Sequence, residues 1–128
     1  MGNYLLDTHA LLWYNEDDPQ LSPEAKTIIN NAENMLFVSI VSFWEIVIKQ
    51  SIGKLKLEYS LELLAALCIE TSIQILPIQL YHLNQLSLLP AFHKDPFDRL
   101  IVATAISESI MLISKDNQMK GYMTEVIW

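Results

Sequence analysis

The sequence predicts an α/β fold with a mostly parallel central sheet, and three observations predict it. Short apolar runs alternate with stretches of helical periodicity along the whole chain. Acids stand just beyond apolar runs or near helix starts. In the segment HKDPFDRLIVATA, His93 to Ala105, a helix starts at Asp95 and is apolar nearly all round from Phe97 to Ile106, which is the pattern of a helix buried in a core. At 128 residues the chain fits one domain, 1–128, long enough to hold a core without disulfides. No internal repeat, low-complexity tract or domain boundary interrupts it.

Taken in order, Asn3 to Leu6 is a short apolar run ending at Asp7, and THALLWY follows with Ala10, Leu11 and Tyr14 on one helical stripe. The reading is strand, acid, helix. Asp7 or Thr8 there caps the helix, holds a ligand at a strand's carboxyl end, or does both. Trp13 and Tyr14 read as core or interface aromatics. After an acidic loop, Glu16 to Gln20, the pair Ser22-Pro23 supplies a cap and a first-turn proline for a helix from about Pro23 to Asn31. Met35 to Val38 reads as a strand, and Ser39 to Ser42 leads into a third helix, SFWEIVIKQSI, stopped by Gly53. Lys54-Leu55-Lys56-Leu57 is strand-like or irregular. Its lysines read as a solvated face, with phosphate contact as the alternative.

Ser60 caps a further apolar helix to Ile69, Ser72 to Ile78 is a third strand closed by Pro77, and residues 79–89 form an amphipathic helix. His82 on it reads as a surface or packing histidine, with no second His or Cys at ligand spacing. Pro96 then opens the central helix with Asp95 as its cap. Ile110 to Ile113 is a strand ending at Ser114-Lys115-Asp116, Asp116-Asn117 has the form of a turn, and Thr124 to Ile127 is a last short strand.

Eight Lys and Arg against fifteen Asp and Glu give a formal charge of −7, which argues against nucleic-acid binding through a broad basic face. Convergent acids that hold divalent cations escape this argument, because the metals bring positive charge to where a phosphate lands. Cys68 is the one cysteine, so neither a disulfide framework nor a zinc set is available, and its apolar setting predicts an inert buried thiol. The start lacks a basic leader and the apolar runs fall short of a membrane span. The expectation is a soluble cytoplasmic protein with no membrane partner.

Two acids sit among apolar neighbours. Asp98 shares a stripe with Ile101, Val102 and Ala105, a costly place for an unpartnered charge. It must cap the helix, meet a cation or face a wet cleft. Glu45 lies among Phe43, Trp44, Ile46, Val47 and Ile48, and a Glu45 to Lys49 pair at i,i+4 is worth only a few tenths of a kcal/mol, too little to offset deep burial. Either that stripe is exposed or it lines a cleft where the carboxylate has a stronger partner. With Asp7 and Asp116 beyond strand ends and Glu45 and Asp98 near helix starts, one sheet edge collects four carboxylates. Such a set repels itself unless cations are present, and all-carboxylate donors suit Mg²⁺ or Mn²⁺.

The order YLLDTHALLW, VSFWEIVIKQSIGKL, HKDPFDRLIVATA, ISKD resembles the PIN-domain ribonucleases, specifically the VapC-like toxins of type II toxin–antitoxin systems, over nearly the whole chain. The resemblance implies a PIN-like three-layer α/β/α sandwich. It implies metal ligation by Asp7, Glu45 and Asp98, with Asp116 as the fourth acid, Thr8 and Ser42 as supporting polar residues and Asp95 as an extra acid of this branch. Ser114-Lys115-Asp116 replaces the family's Thr-X-Asp lead, and NQMKGY after it is only loosely alike. The implied activity is that of a Mg²⁺- or Mn²⁺-dependent endoribonuclease that hydrolyses RNA with a metal-activated water. The implied partners are RNA, a cognate antitoxin and a second copy in a homodimer. Lys49, Lys94 and Arg99 are the nearest basic residues for RNA-backbone contacts. The alternative is a non-catalytic PIN-like module that binds RNA or protein. A phosphotransferase using Asp7 as nucleophile lacks its Asp-X-Asp, since His9 stands where the second acid belongs.

Overall fold

Five strands in the order β3-β2-β1-β4-β5, every pair parallel, form the middle layer of the computed structural model, which describes residues 1–122 and 125–128. The strands are β1 (Asn3–Leu6), β2 (Met35–Ser39), β3 (Ile73–Leu76), β4 (Met111–Ile113) and β5 (Val126–Ile127). Between them run α1 (Thr8–Asn15), α2 (Pro23–Asn30), α3 (Ile40–Ser51), α4 (Leu61–Glu70), α5 (Leu80–Leu88) and α6 (Pro96–Glu108), with a 3-10 turn at Asn117–Gly121. Parallel neighbours cannot be joined by hairpins, so α1 and α2, α3 and α4, and α5 and α6 fill the first three connections, while the 3-10 turn lies between β4 and β5. The three-layer expectation therefore holds.

Alternation along the strands separates the two faces. Leu6 and Ile113 pack into one core with α1, α2 and α4, through residues such as Leu11, Ile29 and Leu64. Leu5 and Leu112 point the other way, into a second core with Ile101, Val102 and Ala105 of α6. Helix α3 serves both, with Phe43 and Ile46 in the first core and Val41 in the second. It also packs against both α1 and α6. This bridging position decides where Glu45 goes.

Helix ends follow the local chemistry of the chain. Ser22 Oγ accepts from the Ala25 amide at 3.0 Å, and Ser60 Oγ from the Leu63 amide at 3.1 Å. Ser60→Ala is expected to lower stability by about 1 kcal/mol, read in a denaturant titration. Helix α3 begins at Ile40, two residues earlier than its apolar run suggests, because Ser39 Oγ accepts from the Val41 amide at 3.0 Å. Ser42 is thus inside the first turn. Gly53 takes a left-handed φ of 74° just past α3, as a helix-stopping glycine should. Lys54 to Leu57 is irregular: the Lys54 and Leu55 amides donate to the Lys49 carbonyl at 2.8 and 3.2 Å, which leaves no strand pairing for them. Of the last expected strand, Thr124 lies outside the described residues and Val126–Ile127 pairs with β4.

Cys68 is fully buried and its thiol is pushed up to about 11 by burial, so it is inert as expected. His82 is a buried packing histidine, with Nδ1 accepting from the Gln79 amide at 2.9 Å and Nε2 2.8 Å from Glu108. Trp13 packs edge-on to Trp128 beside the first core.

Candidate metal centre

Strand order reverses between β1 and β4, and ligand sites of parallel sheets open at such a switch, beyond the strands' carboxyl ends. Asp7 stands there, directly after β1. Its amide donates to the Ile113 carbonyl at 3.1 Å, and its Oδ1 accepts from the Ala10 amide at 2.8 Å as the cap of α1. Capping thus occupies one carboxylate oxygen of this buried acid. Burial raises its pKa, hydrogen bonds from Ser114 and Ala10 oppose the rise, and the charge of Glu45 adds to it.

Glu45 reaches the same place from the second turn of α3 and is 1% exposed. Thr8 Oγ1 donates to Glu45 Oε1 and lies 2.9 Å from Ser42 Oγ, which leaves the Ser42 hydroxyl to donate to Thr8. Lys49 Nζ donates to Glu45 Oε2 and lies 3.4 Å from Asp95 Oδ2. Both oxygens of this deeply buried carboxylate are therefore satisfied. Of the two sequence alternatives for the Glu45 and Lys49 stripe, the cleft is the one found.

On the opposite wall, α6 opens as its sequence dictates. Asp95 Oδ1 accepts from the Phe97 and Asp98 amides at 2.8 and 3.2 Å, leaving Oδ2 to face Lys49. Because Asp95 caps the helix, Asp98 is free to turn toward Glu45 and His93. Its pKa is raised to about 7, first by burial and then by the charges of Asp95, Glu45 and Asp7, against a smaller opposing effect of His93.

His93 is the residue the sequence reading missed. Its Nε2 lies 3.1 Å from Asp98 Oδ2 and 2.8 Å from Asp116 Oδ2, while Nδ1 accepts from the Asp95 amide at 3.2 Å. An acceptor role at Nδ1 puts the proton on Nε2, where it serves the two acids. The His93 amide donates to the Tyr122 hydroxyl at 2.7 Å, which fixes the loop. Asp116 in turn caps the 3-10 turn through the Gln118 amide, 2.9 Å away. The signal available was position, since His93 opens the segment that also carries Asp95 and Asp98.

The donors form two groups that share Asp98. Oxygens of Glu45, Asp95 and Asp98 lie within 4.8 Å of one another, as do ligand atoms of His93, Asp98 and Asp116. Asp7 belongs to neither group but is close enough for its charge to act on Asp98. Thus Glu45, Asp95 and Asp98 meet, with Asp7 near enough to act on Asp98 by its charge, and Asp116 joins them through His93. Thr8 and Ser42 are buried behind Glu45. Lys94 is exposed, and Arg99 turns its guanidinium to the Pro90 carbonyl at 3.2 Å, so of the three basic residues only Lys49 enters the acid cluster. This set of carboxylate oxygens with one imidazole fits a hard divalent cation, whose charge would offset both the burial and the neighbouring carboxylates that raise the pKa of Asp98. Next to it, Thr8, His9, Glu45, Lys49 and Lys54 help line a cleft of about 220 Å³.

The fold and this cleft define a parallel α/β domain with an acidic centre at the switch point of its sheet. The PIN domain model matches residues 4–122, and the chain belongs to that family. It is 28% identical over 130 residues to Ribonuclease VapC22 of Mycobacterium tuberculosis (strain ATCC 25618 / H37Rv), across 95% of this chain and 93% of that one. Among solved structures, VapBC2 from Rickettsia felis bound to a DNA fragment from its promoter aligns with a TM-score of 0.66 at 19% identity, covering 98% of this chain and 96% of that one. A toxin–antitoxin complex from Klebsiella pneumoniae gives 0.64 at 19%, with the same coverage. At these identities the structures show a shared fold. No helix among the described residues is long and apolar enough to cross a membrane.

Proposed function

We propose that this protein is a Mg²⁺- or Mn²⁺-dependent endoribonuclease, the toxin of a type II toxin–antitoxin pair, acting in the cytoplasm as a single PIN domain. The observation that carries the reading is the convergence of Glu45, Asp95 and Asp98, with Asp7 beside them, at the switch point of the sheet. Likeness to Ribonuclease VapC22 supports RNA as the substrate, and likeness to a toxin–antitoxin complex supports a protein antitoxin.

In this reading Asp7, Glu45 and Asp98 hold the cation, with Asp116 beside them through His93. Bound there, the cation supplies charge for the scissile phosphate and lowers the pKa of a water for in-line attack. Thr8 and Ser42 fix the Glu45 carboxylate, and Asp95 fixes the start of α6 so that Asp98 points inward. Lys94 and Arg99, in the segment that carries Asp95 and Asp98, are the basic residues offered to the RNA backbone, in contacts that need no sequence recognition. A homodimer is supported by the apolar stripe Ile40, Trp44, Val47, Ile48 and Ile52, exposed along α3.

The test is cleavage of RNA by antitoxin-free protein in Mg²⁺ or Mn²⁺ against the same protein in chelator. Cleavage that depends on metal and is absent from Asp7→Asn is expected. Tight RNA binding without turnover in either metal would instead identify a non-catalytic binding module.

A further inference from the structure

Lys49 contacts two of the clustered acids, Glu45 and Asp95. Its ammonium donates to Glu45 Oε2 one turn back on α3 and lies 3.4 Å from Asp95 Oδ2 at the start of α6, so one side chain joins the two helices that carry the acids. A solvated i,i+4 pair contributes a few tenths of a kcal/mol. This pair involves a carboxylate whose side chain is 2% exposed, inside a cluster of acids that repel one another.

We infer that Lys49 is a built-in counter-ion of the acid cluster, which competes with the divalent cation for Glu45 and is released from Glu45 and Asp95 when the cation enters. The inference rests on the metal site proposed above. Glu45 has two occupied oxygens, so a cation that takes this carboxylate must displace or crowd a present donor. The Thr8 hydroxyl is buried and tied to Ser42, and it has nowhere to go. Lys49 has a flexible four-carbon stem and borders the open cleft of about 220 Å³ that Lys54 also lines. It is the partner able to leave. Without metal, the ammonium holds Glu45 and Asp95 near each other and keeps the cleft formed. With metal, two positive charges replace one, and the freed ammonium lies at the mouth, where a phosphate approaches. Lys49 is therefore a positioning residue in the metal-free state, and metal loading makes it available to RNA.

The test compares metal-free wild type, Lys49→Met and Lys49→Arg by calorimetric titration with Mn²⁺ alone and by thermal melts with and without Mn²⁺. Lys49→Met removes the charge at nearly the same length. It is expected to melt lower than wild type without metal, to bind Mn²⁺ about tenfold more tightly, and to gain more from Mn²⁺ in the melt. Lys49→Arg keeps the charge and should stay near wild type in affinity. Equal or weaker Mn²⁺ binding by Lys49→Met overturns the inference alone. Absence of Mn²⁺ binding by wild type and variants overturns it together with the metal site. A second measurement does not depend on the variant folding: the wild-type Lys49 ammonium resonance, protected from exchange without metal, should lose that protection in saturating Mg²⁺. Its persistence would equally overturn the inference.

Discussion

Asp98→Asn is expected to slow metal-dependent RNA cleavage by about 100- to 1,000-fold, the usual scale when one strong charge at a reacting centre is removed. The same change should stabilise the metal-free protein at pH 8. Asp98 is shared by both ligand groups, so its loss weakens each of them at once. The substitution is nearly isosteric, and the cap of α6 is made by Asp95, so the helix start should survive. Above a pKa of about 7 the wild-type carboxylate is ionised among Asp95, Glu45 and Asp7, and a neutral amide there removes that repulsion. Single-turnover cleavage reads the first effect and urea titration of metal-free protein the second. A variant that cleaves at the wild-type rate would remove Asp98 from the chemistry. A variant that loses activity only because it is unfolded would fail the second measurement.

Much of this site is legible in the sequence because its placement is local. Asp95 before Pro96 is a cap by short-range chemistry alone, and the apolar run from Phe97 to Ala105 makes burial of α6 unavoidable. An acid after an apolar run that feeds a helix, as at Asp7, lands at the carboxyl edge of any parallel sheet. The alternation of strands and helices likewise implies the layered architecture that the five parallel strands adopt. What is not legible depends on side-chain direction across elements. Lys49 read as a basic residue for RNA, since spacing cannot tell a solvated i,i+4 pair from one folded across a cleft onto another helix. His93 is five positions from Asp98 and twenty-three from Asp116, and only the loop closed by Tyr122 turns its ring between them. The start of α3 was hidden for a different reason: Ile40 and Val41 continue the apolar character of β2, and the switch from strand to helix is marked only by Ser39.

Removing divalent ions is expected to make stability fall as pH rises from about 4 to about 7, opposite to the usual behaviour of a carboxylate in a salt bridge. Asp98 has its pKa raised from an ordinary 3.8 to about 7. Between these values the folded state keeps a proton that the unfolded chain has already released, so raising the pH favours unfolding. The difference amounts to roughly 4 kcal/mol across the window. Asp7, also raised by burial, acts with the same sign. The carboxyls of Asp17 and Glu108 are lowered by Lys26 and by Tyr81 with His82, and so act in the opposite direction. Both lie near the surface, where solvent and salt weaken the effect. Lys49 is raised from an already basic value and contributes no slope in this range. A divalent cation in the cleft favours the ionised carboxyls, so in saturating Mg²⁺ the slope should flatten or reverse, and binding near pH 6 should release protons. Urea titrations of metal-free and Mg²⁺-saturated protein at pH 4.5, 6 and 7.5 measure both slopes, with Asp98→Asn as the control that loses its share of the metal-free one. If that variant kept the full metal-free slope, the titrating group would lie elsewhere and the account of Asp98 as the acid crowded by its neighbours would be wrong.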